Sequence, residues 1–195
     1  MEAYNQIYEI FISKLEQEMA SHFSYHTADH TKYVIDMATF IAKKEKIEGH
    51  ELELLKIAAL FHDMGFLKSR ENHEEVSCEM ASKELPSWDF DNSEISQICG
   101  MIRSTKIPQR PITLLDKILA DADLEYLGTD LYEEGATRLY RELIYFNPNL
   151  TEKEWLEIQV NFLNSHHYHT DFCINNRESK KQEHLKRLQS HLNQL

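Results

Sequence analysis

The apolar positions of this chain recur three and four residues apart, which is the period of amphipathic helices and not of strands. One such stripe consists of Val34, Met37, Ala38 and Ile41. Thr27 or Asp29 is suited to cap the helix that carries it, and Gly49 to stop it. The other predicted helices cover about residues 3–20, 51–64, 71–84, 92–104, 112–127, 130–146, 151–166 and 171–192. This pattern predicts an all-α fold.

Residues that break helices are scarce, and the prolines fall between the predicted segments. The chain has five glycines and four prolines in 195 residues, whereas sandwiches and barrels need turn residues every few positions. The prolines are Pro86, Pro108, Pro111 and Pro148. Because the chain also lacks internal repeats and Ser/Gly linkers, we predict a single-domain helical bundle over residues 1–195.

The charge of the chain narrows the choice of partners. It has 33 acidic residues against 21 Lys and Arg, a formal net charge of −12, so we expect it to be repelled by duplex nucleic acid. The segment 103–110 is a local exception, because it contains Arg103, Lys106 and Arg110 and no acid. A basic segment of this size suits a small phosphate-bearing ligand.

Further features of the sequence indicate a cytoplasmic protein without a membrane partner. The longest aliphatic or aromatic run, residues 57–61, is far too short to cross a bilayer. The amino-terminal residues lack the basic and apolar pattern of a signal peptide. The three cysteines form no CxxC pair, so we expect free thiols in a reducing compartment.

Four side chains of metal-binding type interrupt the apolar stripes. His30 extends the stripe of its helix, and His62 ends an apolar helix with Asp63 as its neighbour. Asp123 lies within the stripe of a later helix. Each residue alone is common in a protein core, but two buried carboxylates near one point would repel each other. A divalent cation bound by the whole set removes that repulsion.

This ordered set resembles the HD superfamily of metal-dependent phosphohydrolases. The similar segments are Tyr25-His26-Thr27-Ala28-Asp29-His30-Thr31-Lys32-Tyr33-Val34, Ala58-Ala59-Leu60-Phe61-His62-Asp63-Met64-Gly65, His73-Glu74-Glu75-Val76-Ser77 and Leu119-Ala120-Asp121-Ala122-Asp123-Leu124. The resemblance covers about residues 20–130. It implies a helical bundle of the HD-domain type, with the helices of residues 131–195 packed on that core.

The resemblance implies a ligand set. Its members are His30, His62, Asp63 and Asp123. Asp121 competes for the last place, but the family acid usually directly precedes a hydrophobic continuation, which favours Asp123. Asp121 and His26 are then candidates for supporting the ligands. Two imidazoles and two carboxylates suit Mn, Fe, Ni, Co, Zn or Mg, and the short segment between the His-Asp and His-Glu elements favours one metal ion.

The ligand set suggests how the site would work. Four protein ligands leave positions open for water and substrate, and a metal lowers the pKa of bound water toward about 7. Asp63 is suited to bind the metal with one oxygen and hold the attacking water with the other. His73 is the candidate general acid. Candidates for binding the phosphate are Lys68, Arg70, Lys106 and Arg110.

The sequence therefore predicts a metal-dependent phosphohydrolase, a phosphatase or phosphodiesterase, that cleaves a phosphoester of a small metabolite. The resemblance favours a nucleotide as substrate, and the sequence is compatible with a homo-oligomer. Two alternatives remain open. One is a nucleotide-binding HD module without turnover, and the other is a di-iron HD-type oxygenase, for which His26, His73 or Asp121 would supply further ligands.

Overall fold

The computed structural model describes residues 2–194, and the chain is helical without a strand over that range. The helices are α1 (Glu2–Glu18), α2 (Ala28–Lys44), α3 (Gly49–Phe61), α4 (His73–Glu84), α5 (Asn92–Ser104), α6 (Leu114–Leu124), α7 (Tyr132–Phe146), α8 (Glu152–Ser165), α9 (Asp171–Asn176) and α10 (Glu178–Leu192). The all-α prediction is confirmed. The predicted domain bounds, residues 1 and 195, lie outside the described range. Within that range no helix has the length and apolar content that a bilayer requires.

Side-chain caps begin several of these helices where the sequence places Ser, Thr or Asp. Thr27, and not Asp29, caps α2, since its side chain accepts a hydrogen bond from the backbone N–H of His30. Asp91, Thr113 and Thr151 each form a capping box with the acid three residues later, at the starts of α5, α6 and α8. These caps fix where α2, α5, α6 and α8 begin.

Two predicted helix ends are wrong. Helix α2 ends at Lys44 and not at Gly49, because the chain turns at Lys46, which has a φ of 63°, and Gly49 begins α3 instead. The helix predicted over 171–192 is interrupted at Arg177, where α9 ends and α10 begins. Arg177 approaches Gly128 so closely that a Cβ at residue 128 would lie 2.4 Å from its carbonyl oxygen, so tertiary packing explains this break.

The helices bury two apolar clusters. The first lies among α1 to α6 and includes Cys173 of α9, and the second lies among α7, α8, α10 and the 3₁₀ turn Glu125–Gly128. Tyr33 of α2 contacts both clusters, and Tyr25 and Tyr126 belong to the second. The amino-terminal end of α2 and the carboxyl-terminal ends of α3 and α6 meet where the two clusters adjoin.

Candidate functional site

Three helix ends bring His30, His62 and Asp123 together. His30 lies in the first turn of α2, His62 directly follows α3, and Asp123 lies in the last turn of α6. One potential ligand atom from each of the three lies within 4.8 Å of the others. The closest pair is His30 Nε2 and Asp123 Oδ1, at 3.1 Å.

Asp63 completes this cluster from the residue after His62. Its Oδ2 lies 3.2 Å from His62 Nε2 and 3.6 Å from His30 Nε2. Its other oxygen, Oδ1, lies 3.6 Å from His73 Nε2. The two oxygens of Asp63 therefore face different neighbours, one the ligand cluster and the other His73.

The turn that carries His62 and Asp63 is fixed by buried hydrogen bonds. Ser77 of α4 donates its hydroxyl to the His62 carbonyl at 2.8 Å and accepts from the Gly65 N–H at 2.8 Å. Gly65 also permits a close approach, since a Cβ there would lie 2.0 Å from the His73 carbonyl oxygen. Ser77 and Gly65 thus join the His-Asp turn to the start of α4, which presents His73.

Two buried polar atoms of the cluster have no hydrogen-bond partner among residues 2–194: His62 Nε2 and Asp63 Oδ2. The His62 side chain is fully buried, and its Nδ1 lies 2.7 Å from the Ala59 carbonyl, which only accepts hydrogen bonds. In the neutral ring Nδ1 therefore carries the proton, and the lone pair of Nε2 is directed at the cluster. Leaving such atoms unpaired is costly unless a ligand satisfies them.

The charges of the cluster oppose its burial. Burial disfavours a charged His62, yet the carboxylates of Asp63 and Asp123 raise its pKa. Burial likewise opposes ionisation of Asp123, but His30 and His62 lower its pKa to about 2. Two buried carboxylates thus lie close together, and positive charge near them lowers the cost of burying their negative charge.

These observations fit a divalent cation. Metal bonds to nitrogen and oxygen ligands are about 2.0–2.2 Å long, so ligands of one ion lie about 3 Å apart. The separations between histidine nitrogens and carboxylate oxygens of the cluster, 3.1 to 3.6 Å, are of that size. The mixed nitrogen and oxygen donors suit the transition metals and magnesium and do not select one.

An open cleft of about 390 Å³ adjoins the cluster, and Asp63 and Asp123 lie in its wall. His73 lines it with 21 % of its side chain exposed, and its ring stacks on Phe66 at 4.1 Å. The cleft also has an apolar portion. Its members are Ile107, Leu124, Tyr126, Leu139 and Phe162.

The candidate phosphate-binding residues divide into two groups. Lys106 and Arg70 line the cleft, where Lys106 Nζ donates to Asn72 Oδ1 at 3.2 Å and the Arg70 guanidinium lies 4.5 Å from the centre of the Phe146 ring. Lys68 and Arg110 are exposed and lie outside the cleft wall that the described residues form.

Asp121 contacts a different part of the molecule from Asp123, which lies two residues later. It is fully buried and accepts hydrogen bonds from the backbone N–H groups of His169 and Thr170 and from the Thr170 hydroxyl, at 2.9, 2.8 and 2.6 Å. Burial raises its pKa, and these hydrogen bonds counteract the shift. Asp121 thus holds the start of α9 and is not among the residues gathered around His62.

His26 has a partner that the sequence did not indicate. Its Nδ1 lies 2.5 Å from Oε1 of Glu142, which projects from α7 and is almost fully buried. The other oxygen of Glu142 accepts from the backbone N–H groups of Tyr25 and His26, at 3.0 and 3.2 Å. Because Glu142 lies 116 residues away in a helix outside the motif segments, no spacing in the sequence pointed to it.

The comparisons with known proteins agree with this fold. The family model described as HD domain matches residues 27–125, and none of the curated proteins matches the chain. A crystal structure of a predicted HD superfamily hydrolase from an uncultured Thermotogales bacterium is 23 % identical, with a TM-score of 0.63 over 97 % of this chain and 91 % of that one. Bacillus subtilis YpgQ, solved in complex with ADP, is 16 % identical, with a TM-score of 0.67 over 99 % of this chain and 97 % of that one.

The fold and the buried cluster define a helical protein with a group of residues that could hold a metal ion, and the family match includes that group. The chain belongs to the HD domain family. Together, the family and the cluster of His30, His62 and Asp123 support a metal-dependent hydrolase.

Proposed function

We propose that the protein is a phosphohydrolase that uses a divalent metal ion to cleave a phosphoester of a small phosphorylated metabolite, a nucleotide. The observation that carries this proposal is the convergence of two histidines and two aspartates at the cleft, with His62 Nε2 and Asp63 Oδ2 buried and unpaired among residues 2–194. An open cleft beside a buried set of metal ligands is typical of a catalytic metal site, whereas a purely structural metal site is closed.

In this proposal His30, His62, Asp63 and Asp123 hold the metal. When bound, a divalent cation supplies a water of lowered pKa and neutralises charge on a phosphoryl oxygen. The Nδ1 hydrogen bond to Ala59 fixes the tautomer of neutral His62 in which Nε2 is the nitrogen that would bind the metal. The fourth ligand is Asp123, because Asp121 is already engaged with His169 and Thr170.

Asp63 and His73 are the residues that act on the attacking water and on the leaving oxygen. Asp63 Oδ1 faces the cleft side, 3.6 Å from His73 Nε2, so it is placed to hold and orient the attacking water. His73 Nδ1 lies 3.3 Å from the Arg70 carbonyl, which leaves Nε2 as its second donor. We assign His73 the general acid that protonates the leaving oxygen. Lys106 and Arg70, on the cleft wall, bind the phosphate oxygens.

The nucleotide as substrate class rests on the lining of the cleft and on one neighbour. The cleft wall combines the basic side chains of Arg70 and Lys106 with apolar ones that include Phe162, a combination that suits a phosphate joined to an aromatic base. The ADP bound to Bacillus subtilis YpgQ supports the same class.

We also propose that the whole chain acts as one domain in the cytoplasm. Helix α10 packs on α8 and on the turn that follows α6, so the carboxyl-terminal helices adjoin the element that carries Asp123. Cys78, Cys99 and Cys173 are free and buried, which suits a reducing compartment.

A hydrolysis assay with a panel of phosphorylated metabolites, each with Mn, Fe, Ni, Co, Zn and Mg, tests the proposed activity. We expect wild-type protein to release phosphate or pyrophosphate, and His62→Ala and Asp63→Ala to lose at least about 100-fold in rate, as expected when an activating metal is lost. His167→Asn, which changes an exposed histidine, is the matched control. Nucleotide binding without any product would favour the binding module, and two irons per chain with oxygen consumption would favour the oxygenase.

A further inference from the structure

Glu142 holds His26 in one orientation at the edge of the cleft. The buried carboxylate takes three hydrogen bonds from this short segment, two from backbone N–H groups and one from His26 Nδ1. A buried carboxylate bonded to Nδ1 fixes both the tautomer and the direction of an imidazole. The same negative charge favours the doubly protonated ring, in which Nε2 also carries a proton. Nε2 is therefore the N–H of His26 that remains to donate to a ligand.

The His26 ring is placed beside the groups that act on the substrate. It lines the cleft together with Asp63, His73 and Lys106, and 20 % of its side chain is exposed. Its ring stacks on Phe66 at 4.0 Å, and Phe66 stacks on His73 at 4.1 Å. The centres of the two imidazoles lie 6.2 Å apart. Each hydrogen bond spans about 3 Å, so both rings can donate to one tetrahedral anion.

We propose that His26 Nε2 binds a phosphate oxygen of the substrate and that Glu142 is the residue that positions it. The inference rests on the proposed phosphohydrolase function and adds a contact to it. His26 is a phosphate ligand here and not a metal ligand, because its ion-pair contact in the described range is with Glu142, whereas Asp63 contacts both His30 and His62. Phosphate is thereby held between Lys106 and the two histidines.

Inorganic phosphate is the probe for this contact, titrated calorimetrically into the Mn²⁺-loaded protein. His26→Asn keeps an amide N–H near the position of Nδ1, where it can still donate to Glu142, but removes Nε2. A hydrogen bond between charged groups accounts for about 10- to 100-fold in affinity, so we expect the phosphate Kd of His26→Asn to rise by that factor. His26→Gln, whose amide lies near the position of Nε2, should recover part of the loss, and His167→Asn should bind as wild type.

A double-mutant cycle tests the role of Glu142. Glu142→Gln retains an oxygen that accepts from the backbone N–H groups but removes the charge that holds His26. We expect Glu142→Gln to weaken phosphate binding and to shift the His26 ring nitrogen signals in ¹⁵N NMR spectra. If Glu142 acts through His26, the double variant binds phosphate as weakly as His26→Asn alone. If the losses of phosphate affinity in the two single variants add up in the double variant, or if the His26 signals do not shift, Glu142 has only a structural role. Either result would overturn the proposal that Glu142 positions His26.

Separate readouts distinguish this inference from the proposed function. Mn²⁺ binding by His26→Asn should equal that of wild type, and loss of Mn²⁺ from this variant would make His26 a metal ligand and overturn the proposal. Equal phosphate affinity of His26→Asn and wild type, or no phosphate binding by wild type, would also overturn it. If wild type binds no metal, the proposed function fails, and the same phosphate titration on metal-free protein still compares His26→Asn with wild type.

Discussion

At the scale of the residue, two of the four ligand candidates are defined by the atom that their other contacts leave unpaired. His62 uses Nδ1 on the Ala59 carbonyl, and Asp63 turns Oδ1 toward His73, which leaves His62 Nε2 and Asp63 Oδ2 facing each other at 3.2 Å. Neither atom has a hydrogen-bond partner in the described range. A bound cation would satisfy both and so offset the cost of burying the pair.

The two aspartates of α6 should separate metal binding from stability. We expect Asp123→Asn to lose the metal, because it removes a charged ligand beside His30. Asp121→Asn should retain the metal but lower the free energy of unfolding by about 1–3 kcal/mol, since it weakens the buried hydrogen bonds to Thr170. Equilibrium dialysis against Mn²⁺ and urea denaturation measure the two effects. Metal loss in Asp121→Asn with retention in Asp123→Asn would reverse the assignment.

The sequence could predict the site residues that sit on apolar stripes. His30, His62 and Asp123 stand out because a core position disfavours a polar residue without a partner, and Asp63 stands out as the neighbour of His62. Glu142 could not be predicted in this way, since its role depends on α7 lying against residues 25–26, a tertiary contact without a local signal. The choice between Lys106 and Lys68 also depends on which side chain reaches the cleft.

At the scale of the element, the junction between α3 and α4 decides where His73 lies. Gly65 should therefore be intolerant of a side chain, because its Cβ would lie 2.0 Å from the His73 carbonyl oxygen. We expect Gly65→Ala to lower the free energy of unfolding by about 1–3 kcal/mol through overpacking and to reduce hydrolysis by displacing His73.

Gly100→Ala in α5 is the matched control. Its Cβ would come no closer than 3.9 Å to Asp116 Oδ1, and alanine in a helix interior is favoured over glycine by about 0.5–1 kcal/mol. Urea denaturation of both variants should therefore move the midpoint in opposite directions. Equal midpoints for the two variants would contradict the steric role of Gly65.

Elements with local signals were predictable, and elements defined by packing were not. The capping boxes at Asp91, Thr113 and Thr151 mark the starts of three helices in the sequence itself. The break at Arg177 has no Gly or Pro to mark it. It coincides with the ion pair that Arg177 forms with the buried Glu125 and with the close approach of residue 128.

At the scale of the whole molecule, the carboxyl-terminal helices are joined by a buried basic pair. Lys181 is fully buried and donates from Nζ to the His166 carbonyl at 2.6 Å, with Glu178 at 2.9 Å. Burial, and then the charge of Lys181, lowers the pKa of His166 to about 3. His166 is therefore neutral in the folded protein throughout the mildly acidic range.

This pair makes the stability of the fold depend on pH. An unfolded histidine takes up its proton below a pKa of about 6.5, whereas folded His166 does so only near 3. Between these two pH values the unfolded state binds more protons than the folded state. His166 therefore lowers the free energy of unfolding as the pH falls, by at most about 1.4 kcal/mol per pH unit. We expect urea denaturation at pH 7 and pH 5 to show a larger loss for wild type than for His166→Asn, and equal losses would contradict it.

The claim on which the account depends is that His30, His62, Asp63 and Asp123 bind a divalent cation. Its most direct test is the metal content of the tag-free wild-type chain after dialysis against Mn²⁺. The same measurement is made on His62→Ala, on Asp63→Ala and on the control His167→Asn, and circular dichroism verifies that each variant is folded. We predict bound metal in wild type and control and none in the two folded site variants. Metal-free wild type, or site variants that retain as much metal as wild type, would contradict the account.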